Sequence, residues 1–179
     1  MAMTLAKMTA GAILAGLLLS GCVESTTPLL TGAQPMFGPD VKVHIYELGE
    51  NRASGPDLGV YHWNGSEYRA TNNPKFEIAA FTVAPLAGND LVIQSRSTRP
   101  QVKNLEYGLA RKIADNTYMV IAIDRANADD ATRSKFCAAD VADSCRVTTR
   151  DAVIAFARAT AAKPELKGSL AILVGEREP

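Results

Sequence analysis

Val41, Val43 and Ile45 alternate with Lys42, His44 and Tyr46. An apolar side chain at every second position gives a strand one face to bury and one to expose, because successive side chains leave a strand on opposite sides. The stretch 49–57, GENRASGPD, is rich in turn formers, and Gly59–Trp63 is then joined to Glu67–Thr71 through Asn64-Gly65-Ser66. Asn-Gly between aromatic-rich flanks predicts a hairpin, since both residues tolerate positive φ. The same triplet has the form of a glycosylation sequon, but the turn explains it with fewer assumptions.

The pattern continues along the chain. Phe76–Leu86 carries Phe76, Ile78, Phe81 and Val83, the turn Ala87-Gly88-Asn89 feeds a strand at Leu91–Ser95, and Leu105–Ile113 faces Thr117–Asp124 across Ala114-Asp115-Asn116. A shift of 50 positions lays Tyr118 on Tyr68, Ile113 on Trp63 and the strand at Leu91 on that at Val41, which suggests a duplicated β unit spanning 41–71 and 91–124. After Asp124 the character changes. The polar stretch Asp129–Asp140 has helix formers, and Thr148-Thr149-Arg150-Asp151 opens a helix to about Ala162, with Thr148 and Asp151 approximating a capping box. Val153, Phe156, Ala157 and Thr160 share one face of that helix, and Pro164 and Gly168 stop it. Ser169–Val174, a continuous apolar run, reads as a last strand inside the sheet and Gly175–Pro179 as a loose charged tail. The expected fold class is α+β, mainly antiparallel β as a sheet or open barrel, with a C-terminal covering helix.

The N-terminus obeys different rules. Lys7 is the lone charge before an apolar run from Met8 to Leu19, too short to cross a hydrocarbon core, which needs about 20 helical residues. A positive start, a short apolar run and small residues have the layout of a secretory signal peptide. The tetrad Leu19-Ser20-Gly21-Cys22 resembles the lipobox of bacterial lipoproteins. The resemblance implies cleavage before Cys22 and acylation of that residue. Residues 1–21 are then a signal peptide, and the membrane is a partner through the acyl chains. Each buried methylene contributes about 0.8 kcal/mol, so several chains hold firmly where one binds marginally. No aspartate follows Cys22; in enterobacterial lipoproteins an aspartate there favours the inner membrane, so the expected location is the outer membrane, facing the periplasm. Prolines 28, 35 and 39 with Gly32 and Gly38 make residues 22–40 read as a lipidated cysteine and flexible tether, and 41–179 as a single β-rich domain.

With Cys22 acylated, Cys137 and Cys145 remain, and an even pair in an oxidising compartment reads as a disulfide. Their spacing does not suit a thioredoxin-type site, and nothing nearby completes a zinc site, so no metal is expected. His44 and His62, with a carboxylate such as Glu47, are the alternative metal set, outweighed by ordinary surface histidines. Lys and Arg balance Asp and Glu at 19 each, and losing residues 1–21 removes Lys7 and no acid, which argues against nucleic acid as partner. GxSxG, HExxH, SxxK and phosphate-cradling glycine motifs are absent, and no cofactor is called for. Arg96, Arg99, Lys103, Arg111 and Lys112 stand against one acid, Glu106, as a possible basic binding face for anionic lipid, lipid-linked sugar or an acidic partner. The plainer account is an edge strand kept soluble by charge. Tyr61, Trp63, Tyr68, Tyr107 and Tyr118 fit sheet packing better than a ligand surface.

Phe81-Thr-Val-Ala-Pro-Leu86, Leu91-Val-Ile-Gln94 and Tyr107-Gly-Leu-Ala-Arg111 are similar to segments of uncharacterised alphaproteobacterial envelope lipoproteins, over residues 76–124. That resemblance implies no activity. The functional expectation is a non-enzymatic envelope module binding a protein or envelope component. The alternatives are an envelope hydrolase using paired carboxylates and a periplasmic inhibitor or immunity protein.

Overall fold

A computed structural model describes residues 22–48, 54–71, 77–137, 144–163 and 169–177. Ten strands are present: β1 (Val23–Ser25), β2 (Val41–Leu48), β3 (Ser54–Trp63), β4 (Tyr68–Ala70), β5 (Ile78–Ala87), β6 (Asp90–Ser97), β7 (Leu105–Ala114), β8 (Thr117–Ala122), β9 (Cys145–Arg146) and β10 (Ser169–Arg177). Two helices, α1 (Asp130–Phe136) and α2 (Arg150–Ala161), and a 3-10 turn at Arg125–Asn127 complete the described elements. The fold is thus mostly antiparallel β with a small helical share.

The sheet does not stay open. Its order runs β6-β5-β4-β3-β2-β10-β8-β7, and β7 pairs back onto β6, closing an eight-stranded antiparallel barrel. The closing piece is β10, which is antiparallel to β2 along Ala171–Arg177 and to β8 from Ser169 to Val174. Its pairing corrects the expected loose tail: Glu176 lies opposite Lys42 and Arg177 opposite Val41. The short β1 continues the sheet beyond β8, antiparallel to Leu105–Glu106 of β7 and parallel to β9.

Alternation along the strands produces two separate cores. Val43, Ile45, Tyr61, Tyr68, Phe81, Val83, Ile93, Ala110, Ala171 and Leu173 form the inner one. An eight-stranded barrel is just wide enough for side chains to fill it, and aromatic rings do so here. Tyr68 stacks on Phe81 with centroids 4.9 Å apart, while Tyr61 meets the same ring edge-on at 5.3 Å. Neighbouring positions on β5–β8, such as Ala84, Val92, Leu109 and Ile121, belong instead to an outer core with Val153, Phe156 and Ala157 of α2. The stripe Val153, Phe156, Ala157, Thr160 is indeed the buried side of α2.

The turns form by somewhat different chemistry from that expected. At β3–β4 the Asn64 side chain caps the loop, its Oδ1 accepting from Ser66 N at 3.0 Å and Glu67 N at 2.9 Å, and Gly65 alone takes positive φ. At β7–β8 Asn116 itself adopts φ +55°. Helix α2 is capped by Thr149, whose Oγ1 accepts from Ala152 N, so Thr148 and Asp151 do not make a capping box. One residue of shift in the cap moves the position three on from Asp151 to Ala152.

Residues 22–40 also require correction, since this segment is laid against the barrel rather than hanging from it. Val23 is fully buried in the outer core, and Leu30 is 3% exposed. The Gln94 side chain on β6 holds the middle of the strap: its Oε1 accepts from Leu29 N at 2.8 Å, Leu30 N at 3.1 Å and the Tyr107 hydroxyl at 3.2 Å. Further on, Met36 N donates to the Tyr68 hydroxyl, and the Phe37 ring meets Tyr118 edge-on. Gly175 of β10 lies beneath that ring, where a Cβ would meet Phe37 carbons at 2.6–2.9 Å. Pro28, Pro35 and Pro39 bring no amide donors, but the Leu29, Leu30 and Met36 amides find partners on barrel side chains.

Candidate functional site

Cys22 sits where β1 begins. It forms a β-bridge with Asp124, and its carbonyl accepts from Cys145 N at 3.0 Å. The next residue is already structural, Val23 N donating to Ile123 O at 3.1 Å. Strand alternation puts the Cys22 side chain on the same face as Glu24, which lies opposite Glu106 of β7. Burial, with Glu106, Asp124 and Glu24 nearby, pushes the Cys22 thiol up to about 11. A thiol shifted this way holds little thiolate at neutral pH, so this corner does not activate Cys22 as a nucleophile.

Glu24 is well partnered. Its oxygens accept from Asn104 Nδ2 at 2.8 Å and Ser144 Oγ at 3.1 Å, and Arg146 lies 3.4 Å away. Burial raises Glu106 above the ordinary carboxyl range, the Glu24 carboxylate adds to this, and Arg99 opposes it. Two facing carboxylates, one held toward its neutral form, are the raw material of general acid chemistry. Glu24 is however occupied by three donors. Neither acid lines the described cleft, a space of about 210 Å³ bordered by strap residues Pro28 and Leu30 and by Glu67, Thr82, Gln94 and Arg96.

The disulfide between Cys137 and Cys145 is present, joining the end of α1 to β9, and Cys145 is fully buried beside Val23. The five basic residues, by contrast, are not brought together. Arg96 pairs with Glu67 at 3.1 Å, and Arg99 pairs with Glu77. Arg111 lies at the other end of the β6–β7 pair, bonded to Asp90 and to Ala161 O at the end of α2, and Lys112 pairs with Asp115. Lys103 is exposed in the β6–β7 connection. Strand direction separated them: Arg96 and Arg111 stand at opposite ends of antiparallel neighbours, so closeness in sequence became distance in space.

The histidines sit on the outer surface of β2 and β3. His44 Nε2 is 3.1 Å from Glu176 and its ring stacks with Tyr46, while His62 is lowered by burial and then by Lys42 and His44. The Glu47 side chain lies outside the described residues. Among the described residues no group of three or more His, Cys, Asp or Glu could hold a metal ion. The aromatics are packing groups: Tyr61 and Tyr68 fill the barrel, Trp63 packs edge-on against Tyr68, and the Tyr107 hydroxyl is 2.7 Å from Ser25 Oγ in the outer core.

Sequence reasoning missed Gln94 and Glu24. A glutamine directly after the apolar run Leu91-Val92-Ile93 was the available signal, because a buried amide needs partners. Among the described residues no helix is long and apolar enough to cross a membrane. No family profile, curated protein or solved structure matches the chain.

Proposed function

We propose that this chain is a lipid-anchored cell-envelope protein, held at the outer membrane and facing the periplasm, whose barrel domain binds a protein or envelope component without catalysing a reaction. The observation that carries the anchoring is the tetrad Leu19-Ser20-Gly21-Cys22 after the apolar run Met8–Leu19. The binding role is supported by what the described surface offers: a barrel filled by its own side chains, a cleft of about 210 Å³, and a Glu24 carboxylate committed to structural partners. The disulfide agrees with an oxidising compartment.

Mass spectrometry of the N-terminal peptide from membrane-extracted protein tests the anchor. Cys22 is expected to be the first residue and to carry acyl mass, and Cys22→Ser is expected to leave the protein as uncleaved precursor or in the soluble fraction. A Cys22 without lipid in the membrane fraction would overturn the reading. Detergent-solubilised protein is expected to retain a stoichiometric partner; measurable turnover with no partner would point instead to the hydrolase.

A further inference from the structure

We infer that the domain has no free spacer between its lipid and its folded body, so that it sits flush on the bilayer with the β1–β9 corner seated on the headgroups. This rests on the lipidation of Cys22 proposed above and adds to it an orientation. A thioether on Cys22 Sγ places the lipid glycerol a bond away from a residue whose own carbonyl is hydrogen-bonded to Cys145 N. Val23 N is bonded to Ile123 O, Val147 N to Glu24 O, and the Val23 side chain is fully buried. To stand off the membrane, the domain would have to strip β1 from both neighbours and expose Val23.

That constraint picks out one end of the barrel. Leu105 and Glu106 pair with Ser25 and Glu24, so the start of β7 lies at the anchored end, together with Asn104, which bonds Glu24. Arg99, Lys103 and Arg146 belong to this end, where cationic side chains can meet lipid phosphates. The Asp115-Asn116 turn ends the same strand at the opposite pole, about 25 Å further from the bilayer for a strand of this length tilted as barrel strands are. Of the acids beside Cys22, Glu24 does not oppose the seating as a bare charge, since it is held by Asn104, Ser144 and Arg146.

The test uses the processed lipoprotein in vesicles of phosphatidylethanolamine and phosphatidylglycerol containing a headgroup-nitroxide lipid. A fluorophore is placed by Lys103→Cys or by Asn116→Cys, both exposed positions. Quenching is expected to be at least threefold stronger at 103 than at 116. Inserting eight Gly/Ser residues between Cys22 and Val23, a spacer of about 15 Å root-mean-square length, is expected to erase most of that difference. Equal quenching at the two positions, or stronger quenching at 116, in protein whose Cys22 carries acyl mass would overturn the orientation alone. Absence of acyl mass would overturn the lipoprotein reading and the orientation with it.

Discussion

The inner and outer cores share the same strands but are built in opposite ways. The buried side chains of the inner core come from strands that are neighbours in the sheet, each facing the axis because alternation puts it there, and of the strap only Met36 and Phe37 pack against them. The outer core instead gathers Val23 and Leu30 from the strap, Cys145 and Val147 from the disulfide segment and Phe156 from α2. Its pieces are short, and several are held by single side chains such as Gln94. The inner core is specified by a repeating pattern, whereas the outer one depends on individual partnerships.

Mutations can break this comparison from either side of the wall. The largest effect is expected from Phe156→Ala, which removes a fully buried ring from the outer core and costs about 4 kcal/mol. Hydrogen exchange should then accelerate in α2, β1 and the strap while β2 and β3 stay protected. Equal acceleration in β2 would mean that the two cores melt as one. Leu173→Ala and Leu109→Ala delete the same atoms from inside and outside the barrel, Leu173 at 2% and Leu109 at 0% exposure, and each is expected to cost about 3 kcal/mol. Denaturant titrations should give similar losses, but only Leu173→Ala should loosen the β10–β2 seam.

Replacing Cys137 and Cys145 together by Ser removes a cross-link of sequence separation 8 and is expected to cost roughly 2–3 kcal/mol by chain entropy. Thermal melts of the double variant should show that loss, and β1 amides should exchange faster. Gln94→Leu leaves Leu29 N, Leu30 N and the Tyr107 hydroxyl without their acceptor and is expected to cost about 2 kcal/mol. Its sign of success is faster exchange at Leu29 and Leu30 with the barrel amides unchanged.

The smallest effect concerns Glu106→Gln. Because burial raises Glu106 in the folded state, the fold favours its neutral form, and stability is lost as pH rises from the ordinary glutamate value toward the raised one. The substitution should therefore raise the Tm at pH 7 and do so progressively less as pH falls toward 4. An equal gain at both pH values would show that the carboxyl does not titrate differently in the two states.

The same contrast explains which parts were readable in the residues. Strand β2 was visible as alternation, β7 and β8 as a hairpin around Ala114-Asp115-Asn116, and α2 as a stripe at helical spacing, because those signals are local. Closure was not visible. The continuous apolar run Ser169–Val174 reads as a strand inside the sheet, which β10 is, but nothing in it names β2 and β8 as the two strands it joins. The strap was read from Pro28, Pro35 and Pro39 as free chain, yet what orders it are partners far away in sequence, Gln94 and Tyr68. The disulfide pair was legible because only two cysteines remained after Cys22 was set aside. The basic stretch misled because sequence spacing does not say which end of an antiparallel pair a residue will reach.

The seam made by β10 has a consequence for how the molecule comes into being. Ala171 pairs with Glu47, so the barrel cannot close until parts of the chain more than a hundred residues apart have met. Until then β2 and β8 each present an uncovered edge, with hydrogen-bonding groups ready for a strand from any other chain. Pairings of such long range form slowly. A nascent chain of this kind faces its greatest hazard late, in the interval before its closing strand arrives, and a holdase that covers strand edges would act there.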